Sequence, residues 1–492
     1  MEMSSEKQAP PKPKRRWFQL RLRTLLVLVT LASGVFGWVG WELEQRRREV
    51  PAIAWVEKMG GSVSFETRID SGFKTNWWKK TKDTLFGENV TQISLNDTQV
   101  SDLSPLAGLS NFEGLWFSGT AVSDLTPLAG MEYLLDLDLI ETKVSDLSPL
   151  AGLKNLERLW FSGTAVSDLT PLEKLKNVTH ISLNDTQVSD LSALAGMEKL
   201  NVIYLKSTEV TDLSPLAELK NLRGLILNNT PVSDLTPLAG MENLLDLDLR
   251  ETKVSDLSPL AGLKNLRGLY LNQTEVSDLS PLAGLSNLEY LYLDQTEVSD
   301  LSALAGMEKL NLIFLKSTEV TDLSPLADPN GFSSLLLNNT PVSDLTPLAG
   351  MGYIGELNLS GTAVSDLTGL VGMSLGELNL EGTAVSDLTP LADMEYLARL
   401  NLEGTEVSDL TPLAGMEDIE KLNLNGTAVS DLTPLAGMEY LEELNLNDTQ
   451  VSDLSPLAGM ERLERLFLEG TKVTEEQIDK LKLALPNCKI SR

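Results

Sequence analysis

Few side chains in this sequence could do catalytic or metal chemistry. The 492 residues include one histidine, His180, and one cysteine, Cys488. A single histidine argues against a Ser-His-Asp triad or a histidine metal cluster, and a single cysteine excludes an internal disulfide and a cysteine-based zinc site. His180 lies just before Ile181, on the outward side of a predicted strand. It could act as a lone base, but we favour an ordinary surface histidine.

One kind of carboxylate recurs in register along the chain. The triplet Ser/Thr-Asp-Leu occurs seventeen times, with Asp102 in the first copy and Asp453 in the last. A row of cation sites is one interpretation. We favour the other, in which each carboxylate accepts hydrogen bonds from backbone N–H groups of its own turn. A column of threonines from Thr98 to Thr471 is explained most simply as hydroxyls that satisfy turn backbone.

These residues belong to a 22-residue unit that is repeated with little change. Each unit contains one Leu-x-Leu core, and successive cores are 22 residues apart except for one step of 21, from Leu357 to Leu378. A period this strict predicts a solenoid, because one unit cannot bury its own apolar face. The first residues of the eighteen cores are Ile93, Leu115, Leu137, Leu159, Ile181, Ile203, Leu225, Leu247, Leu269, Leu291, Ile313, Leu335, Leu357, Leu378, Leu400, Leu422, Leu444 and Leu466.

Each unit predicts a short strand followed by a tight return arm. Apolar and polar residues alternate around Leu-x-Leu, which is typical of a strand, and stacked turns would make these strands parallel. Ser/Thr-Pro pairs such as Ser104-Pro105 suit the start of a short helical turn, where the hydroxyl could accept from free N–H groups. With only about a dozen residues to return, we expect 3₁₀ or single-turn structure.

The unit resembles bacterial leucine-rich repeats of the internalin type, with threonine where that family usually has asparagine. The resemblance covers more than three quarters of the chain. It implies an α/β solenoid of mostly β and coil structure. Such a leucine-rich repeat horseshoe has a concave parallel β-sheet and a convex side of short 3₁₀ turns. It also implies that the concave sheet binds another protein.

The chain divides into five predicted regions. Residues 1–23 form a basic, disordered tail. Residues 24–41, which carry no charge, form a transmembrane helix of roughly 27 Å. Residues 42–89 are a juxtamembrane segment and N-terminal cap, residues 90–470 the solenoid of about 18 repeats, and residues 471–492 the C-terminal cap.

The N-terminal segment has two interpretations. One is a cleaved signal peptide, for which Thr30-Leu31-Ala32 offers a small-residue cleavage site. We favour an uncleaved anchor, since the apolar run continues past that site to Trp38 and Trp41. Positive charge is denser on the N-terminal side of this apolar run than on its C-terminal side. The sequence therefore predicts a single-pass protein of the cell membrane, with a cytoplasmic N-terminus and the repeats on the extracytoplasmic side.

The predicted caps and the irregular units are more specific. We expect helices at 52–59, 76–86 and 475–485, a strand at 63–66, and a further strand start at 488–490. Two units depart from the pattern, at Asp328-Pro329-Asn330-Gly331 and at Gly369 to Gly372, and both should loosen the stack or change its curvature. Residues 131–159 and 241–269 are nearly identical and lie 110 residues apart, which indicates duplication of a five-unit block.

The middle residue of each Leu-x-Leu core should point out on the concave face. In the first half of the array this column is rich in aromatic residues, and in the second half it carries five successive asparagines, Asn358 to Asn445. Aromatic residues anchor many interfaces, although they also stabilise neighbouring strands by packing. The asparagines could bind a partner's backbone or a glycan, but we favour amide-to-amide ladder bonds. The predicted partner-binding residues are Trp116, Trp160, Tyr204, Tyr270, Tyr290, Tyr292 and Phe314.

Charge and motifs define the expected partners. The net charge is −30, which repels nucleic acid, and acidic residues outnumber basic ones on the concave face. We therefore expect a protein partner with a basic surface, the membrane as a second partner, and no nucleic acid, metal or small-molecule cofactor. There is no phosphate loop or nucleophile elbow, so we predict a binding protein and no enzyme. The alternative is a passive or self-associating envelope scaffold.

Overall fold

A computed structural model describes residues 22–65, 90–110, 112–327, 331–392 and 394–492. Its main feature is one sheet of 20 strands. The strands are β1 (Ser62–Phe65), β2 (Val90–Ser94), β3 (Gly114–Trp116), β4 (Asp136–Asp138), β5 (Arg158–Trp160), β6 (His180–Ser182), β7 (Val202–Tyr204), β8 (Gly224–Ile226), β9 (Asp246–Asp248), β10 (Gly268–Tyr270), β11 (Tyr290–Tyr292), β12 (Leu312–Phe314), β13 (Phe332–Leu336), β14 (Tyr353–Asn358), β15 (Ser374–Asn379), β16 (Leu397–Asn401), β17 (Lys421–Asn423), β18 (Glu443–Asn445), β19 (Arg465–Phe467) and β20 (Lys489–Ser491).

Consecutive strands pair in parallel from β2 to β20, and β1 pairs antiparallel with β2. Equivalent residues face each other across the ladder, as Leu269 faces Leu291. The first two residues of each of the eighteen predicted cores lie in one of the strands β2 to β19. The predicted fold class, a solenoid of mostly β and coil structure, is confirmed.

Short 3₁₀ helices form the return arms, as the Ser/Thr-Pro pairs predict. The inward leucine of each is buried, and proline occupies the first turn in most of them. They span Ser104–Leu106, Thr126–Leu128, Ser148–Leu150, Thr170–Leu172, Ser192–Leu194, Ser214–Leu216, Thr236–Leu238, Ser258–Leu260, Ser280–Leu282, Ser302–Leu304, Ser324–Leu326, Thr346–Leu348, Thr368–Leu370, Thr389–Leu391, Thr411–Leu413, Thr433–Leu435 and Ser455–Gly459.

The aspartate column starts these 3₁₀ helices. Asp102 Oδ1 accepts from the backbone N–H of Ser104 at 2.8 Å, and the same bond recurs at Asp234 and Asp453. Hydrogen bonds from the Ser104 hydroxyl and N–H hold the pKa of Asp102 below its usual value. The favoured structural interpretation is confirmed. The expectation that the Ser/Thr hydroxyl supplies the acceptor is wrong, because the carboxylate two residues earlier already takes the free N–H.

The threonine column completes the turns on the other side of the strands. The Thr274 hydroxyl donates to the carbonyl oxygen of Leu271 at 2.6 Å, and Thr120 does the same to Phe117. Most of these threonines are buried, so an unpaired turn carbonyl there would be costly. The predicted ladder of hydroxyls is confirmed.

The predicted membrane anchor at residues 24–41 is wrong. Those residues form the first part of α1 (Leu22–Lys58), which continues without a break through the charged residues that follow. Thr30, Ser33 and Gly34 interrupt the apolar run. No helix in the described part of the chain combines the length and apolar character needed to cross a membrane. The single-pass localisation in the cell membrane, with a cytoplasmic N-terminus and extracytoplasmic repeats, and the membrane as partner are corrected with it.

Both ends of the stack are covered. The last turns of α1 bury Ala52 and Val56 against the first coil, so the predicted helix at 52–59 is the end of α1 and not a separate element. At the other end, α2 (Glu475–Ala484) begins with a capping box between Thr474 and Gln477 and buries Ile478. The strand predicted beyond it is β20. The helix predicted at 76–86, most of the tail at 1–23, and residues 328–330 lie outside the described residues.

The sheet continues in register through the shortened unit. β13, β14 and β15 have five or six residues where most strands have three. The longer strands are possible because the backbones approach closely: a β-carbon on Gly376 would lie 2.4 Å from the carbonyl oxygen of Gly355. The sequence signals an irregularity here, and in the structure it coincides with a longer strand ladder; the predicted loosening or change of curvature stays a prediction.

The mutual burial of neighbouring turns predicts the effect of core truncation. Leu269 is fully buried, so Leu269→Ala should lower the free energy of unfolding by about 2–5 kcal/mol. Leu483 on α2 is 86% exposed, and Leu483→Ala should change it by less than about 0.5 kcal/mol. Urea unfolding followed by circular dichroism measures both. Equal effects of the two variants would contradict this burial pattern.

The aspartate column predicts a loss of stability in acid. Asp124, Asp234 and Asp344 have pKa values lowered below 3.8, and thirteen further column aspartates are lowered in the same way. A lowered pKa adds stability above the unfolded value, and that stability is lost as pH falls through the folded value. Burial raises the pKa of Asp138 and Asp246, which opposes the effect at far fewer sites.

We therefore expect the thermal midpoint to decline steeply once the pH falls below the ordinary value of 3.8. Scanning calorimetry in about 0.5 M salt measures it, because salt screens the repulsion among the 40 lysine and arginine residues, which dominates once carboxylates are protonated, more than these local bonds. A midpoint that stays constant or rises below that pH would show that the column does not stabilise the turns through ionised carboxylates.

Candidate functional site

The predicted binding residues lie on the outward face of the sheet. Each is half-buried, so part of its side chain is open to solvent. Six of them are the last residue of a strand, and Tyr290 is the first residue of β11. We call this set the aromatic surface: Trp116, Trp160, Tyr204, Tyr270, Tyr290, Tyr292 and Phe314.

Three members of the aromatic surface form a continuous stack across β10, β11 and β12. The rings of Tyr270 and Tyr292 are stacked, with centroids 4.7 Å apart and an angle of 28°. Phe314 meets Tyr292 edge-on, with centroids 4.4 Å apart. Packing shields the phenol groups from water, and this burial raises the pKa of both Tyr270 and Tyr292. The structure thus presents three side chains as one rigid apolar strip.

A charged residue closes one end of this stack. The Arg250 guanidinium lies 5.7 Å from the Tyr270 ring centroid, within the range of a cation–π contact. It also forms an ion pair with Asp248, with Nη2 2.6 Å from Oδ2. Arg250 is therefore held in position by its own turn, and its positive charge is already compensated.

The other aromatic residues form smaller groups. Trp160 and Tyr204 approach to 6.2 Å between centroids although β6 lies between their strands. This is possible because β6 carries the small residue Ser182 at the same level. The Trp116 ring lies over Gly114 of its own strand. The aromatic surface is thus a row of separate groups, and the largest is the Tyr270 stack.

The asparagine half of the column has a backbone role. Asn358 Oδ1 accepts from the N–H of Ser360, two residues later, at 3.0 Å, and Asn379, Asn401, Asn423 and Asn445 repeat this bond. The predicted amide ladder is confirmed at one step, where Asn401 Nδ2 donates to Asn379 Oδ1. The main function of these amides, which the sequence analysis missed, is to end each strand.

At several aromatic positions another residue accepts the hydrogen bond from this backbone N–H. At Trp116, Tyr204 and Phe314 the N–H two residues later needs another acceptor. A side chain of the preceding turn supplies it: Asn96 bonds to Ser118, Asn184 to Lys206 and Asp294 to Lys316, each at 2.9 Å. A polar residue 20 positions before the aromatic one is the signal that could have identified this arrangement. No hydrogen bond to the backbone therefore explains why aromatic residues occupy these three positions.

Cross-strand ion pairs flank the same face. Arg158 forms two bonds to Asp136, and Arg267 forms two to Glu289 at 2.8 and 2.9 Å. His180 points outward, with Nδ1 2.9 Å from the Thr179 hydroxyl. Within the described residues no group of three or more histidine, cysteine or carboxylate side chains could hold a metal ion. The face is therefore a surface of rings and paired charges.

Comparison with known proteins agrees with this architecture. A family model of leucine-rich repeats, in two copies, matches residues 264–306. Those residues contain all of β10 and β11 and the turns between them, and the same unit continues on both sides. The chain has the fold of a leucine-rich repeat protein. Among curated protein sequences, none matches it significantly.

Solved structures of leucine-rich repeat proteins share the fold at low sequence identity. A leucine-rich repeat protein of Leptospira interrogans is 18% identical, with 81% of this chain and 95% of that chain covered and a TM-score of 0.59. The functional domain of the internalin InlJ from Listeria monocytogenes, which includes a cysteine ladder, is 17% identical, with 66% and 71% covered and a TM-score of 0.53.

A third similar structure comes from a plant. The ectodomain of the Arabidopsis thaliana membrane receptor kinase GASSHO1/SCHENGEN3, in complex with CASPARIAN STRIP INTEGRITY FACTOR 2, is 17% identical. The match covers 89% of this chain and 55% of that chain, with a TM-score of 0.62. At these identities the comparisons support the leucine-rich repeat fold and its internalin-like neighbours, and they say nothing further about this chain's ligand.

The backbone role of the asparagine column predicts that two substitutions of Asn358 lower the free energy of unfolding by different amounts. Asn358→Ala removes the acceptor of the Ser360 N–H and should lower the free energy of unfolding by about 0.5–1.5 kcal/mol. Asn358→Asp keeps an acceptor in the same place, as Asp138 and Asp248 do naturally, and should cost less. Chemical denaturation measures both. If aspartate were as damaging as alanine, the bond to Ser360 would not be the reason for this column.

Proposed function

We propose that this leucine-rich repeat protein is a non-enzymatic binding protein whose aromatic surface contacts a protein partner. The observation that carries the proposal is the Tyr270 stack, in which Tyr270, Tyr292 and Phe314 form a half-open apolar strip. A contiguous apolar strip on an open sheet is costly unless a partner covers it. Packing between strands accounts for the ring contacts, but at Phe314 the preceding turn supplies the backbone acceptor, so no backbone bond requires an aromatic residue there.

The properties of the strip suit recognition of a protein. Aromatic side chains bury a large area with little loss of conformational freedom, and they are enriched among the residues that dominate binding energy. Here the rings already hold one another in place, so little further ordering is needed on binding. The plant ectodomain that shares this fold is in complex with another factor, which supports a protein ligand for this architecture.

The expected partner has a basic surface. The chain carries a net charge of −30, and the basic residues beside the Tyr270 stack are compensated, Arg250 by Asp248 and Arg267 by Glu289. A partner with lysine or arginine around an apolar centre would meet complementary charge at the rim, which favours fast association and correct orientation.

A scaffold that assembles with itself is the second candidate. β20 pairs with β19 on one side, and none of the described strands pairs with its other edge. An open edge can accept a strand from another molecule. Sedimentation velocity of the full chain over a wide concentration range separates the candidates, because assembly in the absence of any partner favours the scaffold.

Replacing the stack should abolish partner capture. In the triple variant Tyr270→Ser, Tyr292→Ser and Phe314→Ser the apolar strip is lost, while the fully buried leucines beneath it remain. Each ring removed from a stacked pair costs about 0.5–1.5 kcal/mol of packing, so a modest fall in the thermal midpoint is expected. A photoreactive amino acid at position 292 cross-links the partner in the producing cells and so identifies it, and the same amino acid at position 440 is the comparison. The purified partner is then tested for binding to each variant.

The matched control is the triple variant Tyr133→Ser, Tyr396→Ser and Tyr440→Ser. These three tyrosines are exposed, at 57%, 41% and 43%, and lie outside the strands. It should bind the partner like the unmodified chain. If cross-linking at 440 matches that at 292, or the two triple variants bind equally well, the aromatic surface is not the binding site.

A further inference from the structure

The duplicated block repeats the outward face of the sheet as well as its core. Residues 131–159 and 241–269 differ at only four positions, and residues 191–217 and 301–327 differ at only two. The two copies are offset by 110 residues, which is five units, so β4 to β8 correspond to β9 to β13. The sheet therefore carries two versions of the same five-strand surface.

Both copies place aromatic residues at the same positions. In the outward column an aspartate on the first strand is followed by one ring on the second strand and another on the fourth. The equivalent residues are Asp138 and Asp248, Trp160 and Tyr270, and Tyr204 and Phe314. All four aromatic residues are half-buried. We call Trp160 and Tyr204 the first aromatic group, and the Tyr270 stack is its counterpart in the second copy.

The backbone beside equivalent rings is supported in the same way. Asn184 Oδ1 accepts from the N–H two residues after Tyr204, at 2.9 Å. Asp294 Oδ1 accepts from the N–H two residues after Phe314, also at 2.9 Å. The arrangement that leaves this position open to an aromatic side chain is therefore present in both copies.

The copies differ in the strand between the two rings. In the first copy β6 carries the small residue Ser182, which is only 4% exposed. Trp160 and Tyr204 approach each other across it to 6.2 Å between centroids. In the second copy Tyr292 occupies the equivalent position on β11 and contacts the rings on both sides. Each copy therefore presents one connected aromatic surface that spans three strands.

Two strands without rings in this column separate the two surfaces. β8 carries Ile226 and β9 carries Asp248, and Asp248 forms an ion pair with Arg250. Equivalent residues of the two copies lie five strand spacings apart, about 24 Å along the sheet. A standard interface covers about 800 Å² on each partner, a patch roughly 28 Å across. Two separate globular partners would therefore overlap, whereas one molecule can contact both surfaces.

We propose that the first aromatic group and the Tyr270 stack are equivalent sites for one protein partner, whose chain carries the same recognition element twice, about 24 Å apart. This inference rests on the proposed function and adds that the partner is repetitive. Each element has an apolar centre, because both sites are aromatic surfaces. Once one element is bound, the second binds intramolecularly at a high effective concentration, so the pair binds much more tightly than either element alone.

Cross-linking of the full chain in the producing cells maps the two sites onto the partner. The photoreactive amino acid p-benzoylphenylalanine, which keeps an aromatic ring in place, replaces Trp160 in one variant, Tyr270 in a second and both in a third. Mass spectrometry should find the same protein at both positions, attached through two different segments of similar sequence. The doubly substituted chain should form an adduct with the mass of one partner molecule.

Several results of this mapping would overturn the proposal. They are the absence of an adduct at position 160, different proteins at the two positions, one identical segment at both, two segments of unrelated sequence, and two partner molecules on the doubly substituted chain. Unrelated segments would show one continuous interface without a repeated element.

Binding of the purified partner, identified by cross-linking at position 292, tests whether both sites contribute. Trp160→Ser with Tyr204→Ser removes the first site. Tyr270→Ser with Phe314→Ser removes the second. Each leaves a single site and should weaken binding about 100-fold or more. The matched control is Trp160→Tyr with Tyr204→Phe, which installs the rings of the second copy and should bind like the unmodified chain, with thermal unfolding as the check on folding.

The proposed function and this inference fail in different ways. If the Tyr270, Tyr292 and Phe314 triple variant binds the purified partner normally, the proposed function fails. If that variant loses the partner while Trp160→Ser with Tyr204→Ser binds like the unmodified chain, the Tyr270 stack remains a binding site and the inference of two equivalent sites is wrong.

Discussion

The structure depends on burial that no turn can achieve by itself. Each 22-residue unit points its apolar residues to one side, and those side chains are removed from water only when the next turn covers them. The leucines of the strands and of the 3₁₀ helices are almost all fully buried, and the apolar ends of the stack are closed by α1 and α2. This constraint explains why the repeated units are nearly identical at their buried positions and differ from one another mainly at their exposed positions.

Tight turns create a second requirement, which is to satisfy the backbone. Three polar columns meet it: the aspartates before the 3₁₀ helices, the threonines after the strands, and the asparagine or aspartate at the strand ends. Where the third column is replaced by an aromatic residue at Trp116, Tyr204 and Phe314, the preceding turn supplies the acceptor. The concave face can therefore change its chemistry without leaving the backbone unsatisfied, and binding function can develop there.

The periodic part of the fold was predictable from the sequence, and the local exceptions were not. The strand positions, the 3₁₀ arms and the roles of Asp102 and Thr98 follow from spacing and residue type, because every unit solves the same problem. The anchor at 24–41 was predicted wrongly, because an uncharged run does not reveal that the helix continues through charged residues to Lys58. The Asp136 to Arg158 pair also escaped prediction, because it depends on register between strands. The binding role of the aromatic surface and the division into five regions remain predictions.

Amide hydrogen exchange along the full chain tests the central claim, mutual burial of neighbouring turns, most directly. If each turn is stable only through its neighbours, strand amides should be protected most in the middle of the array, around β10, with protection falling smoothly toward β2 and β19. Blocks of uniform protection separated by fast-exchanging boundaries would contradict the account, because they would show that the array consists of units that fold independently.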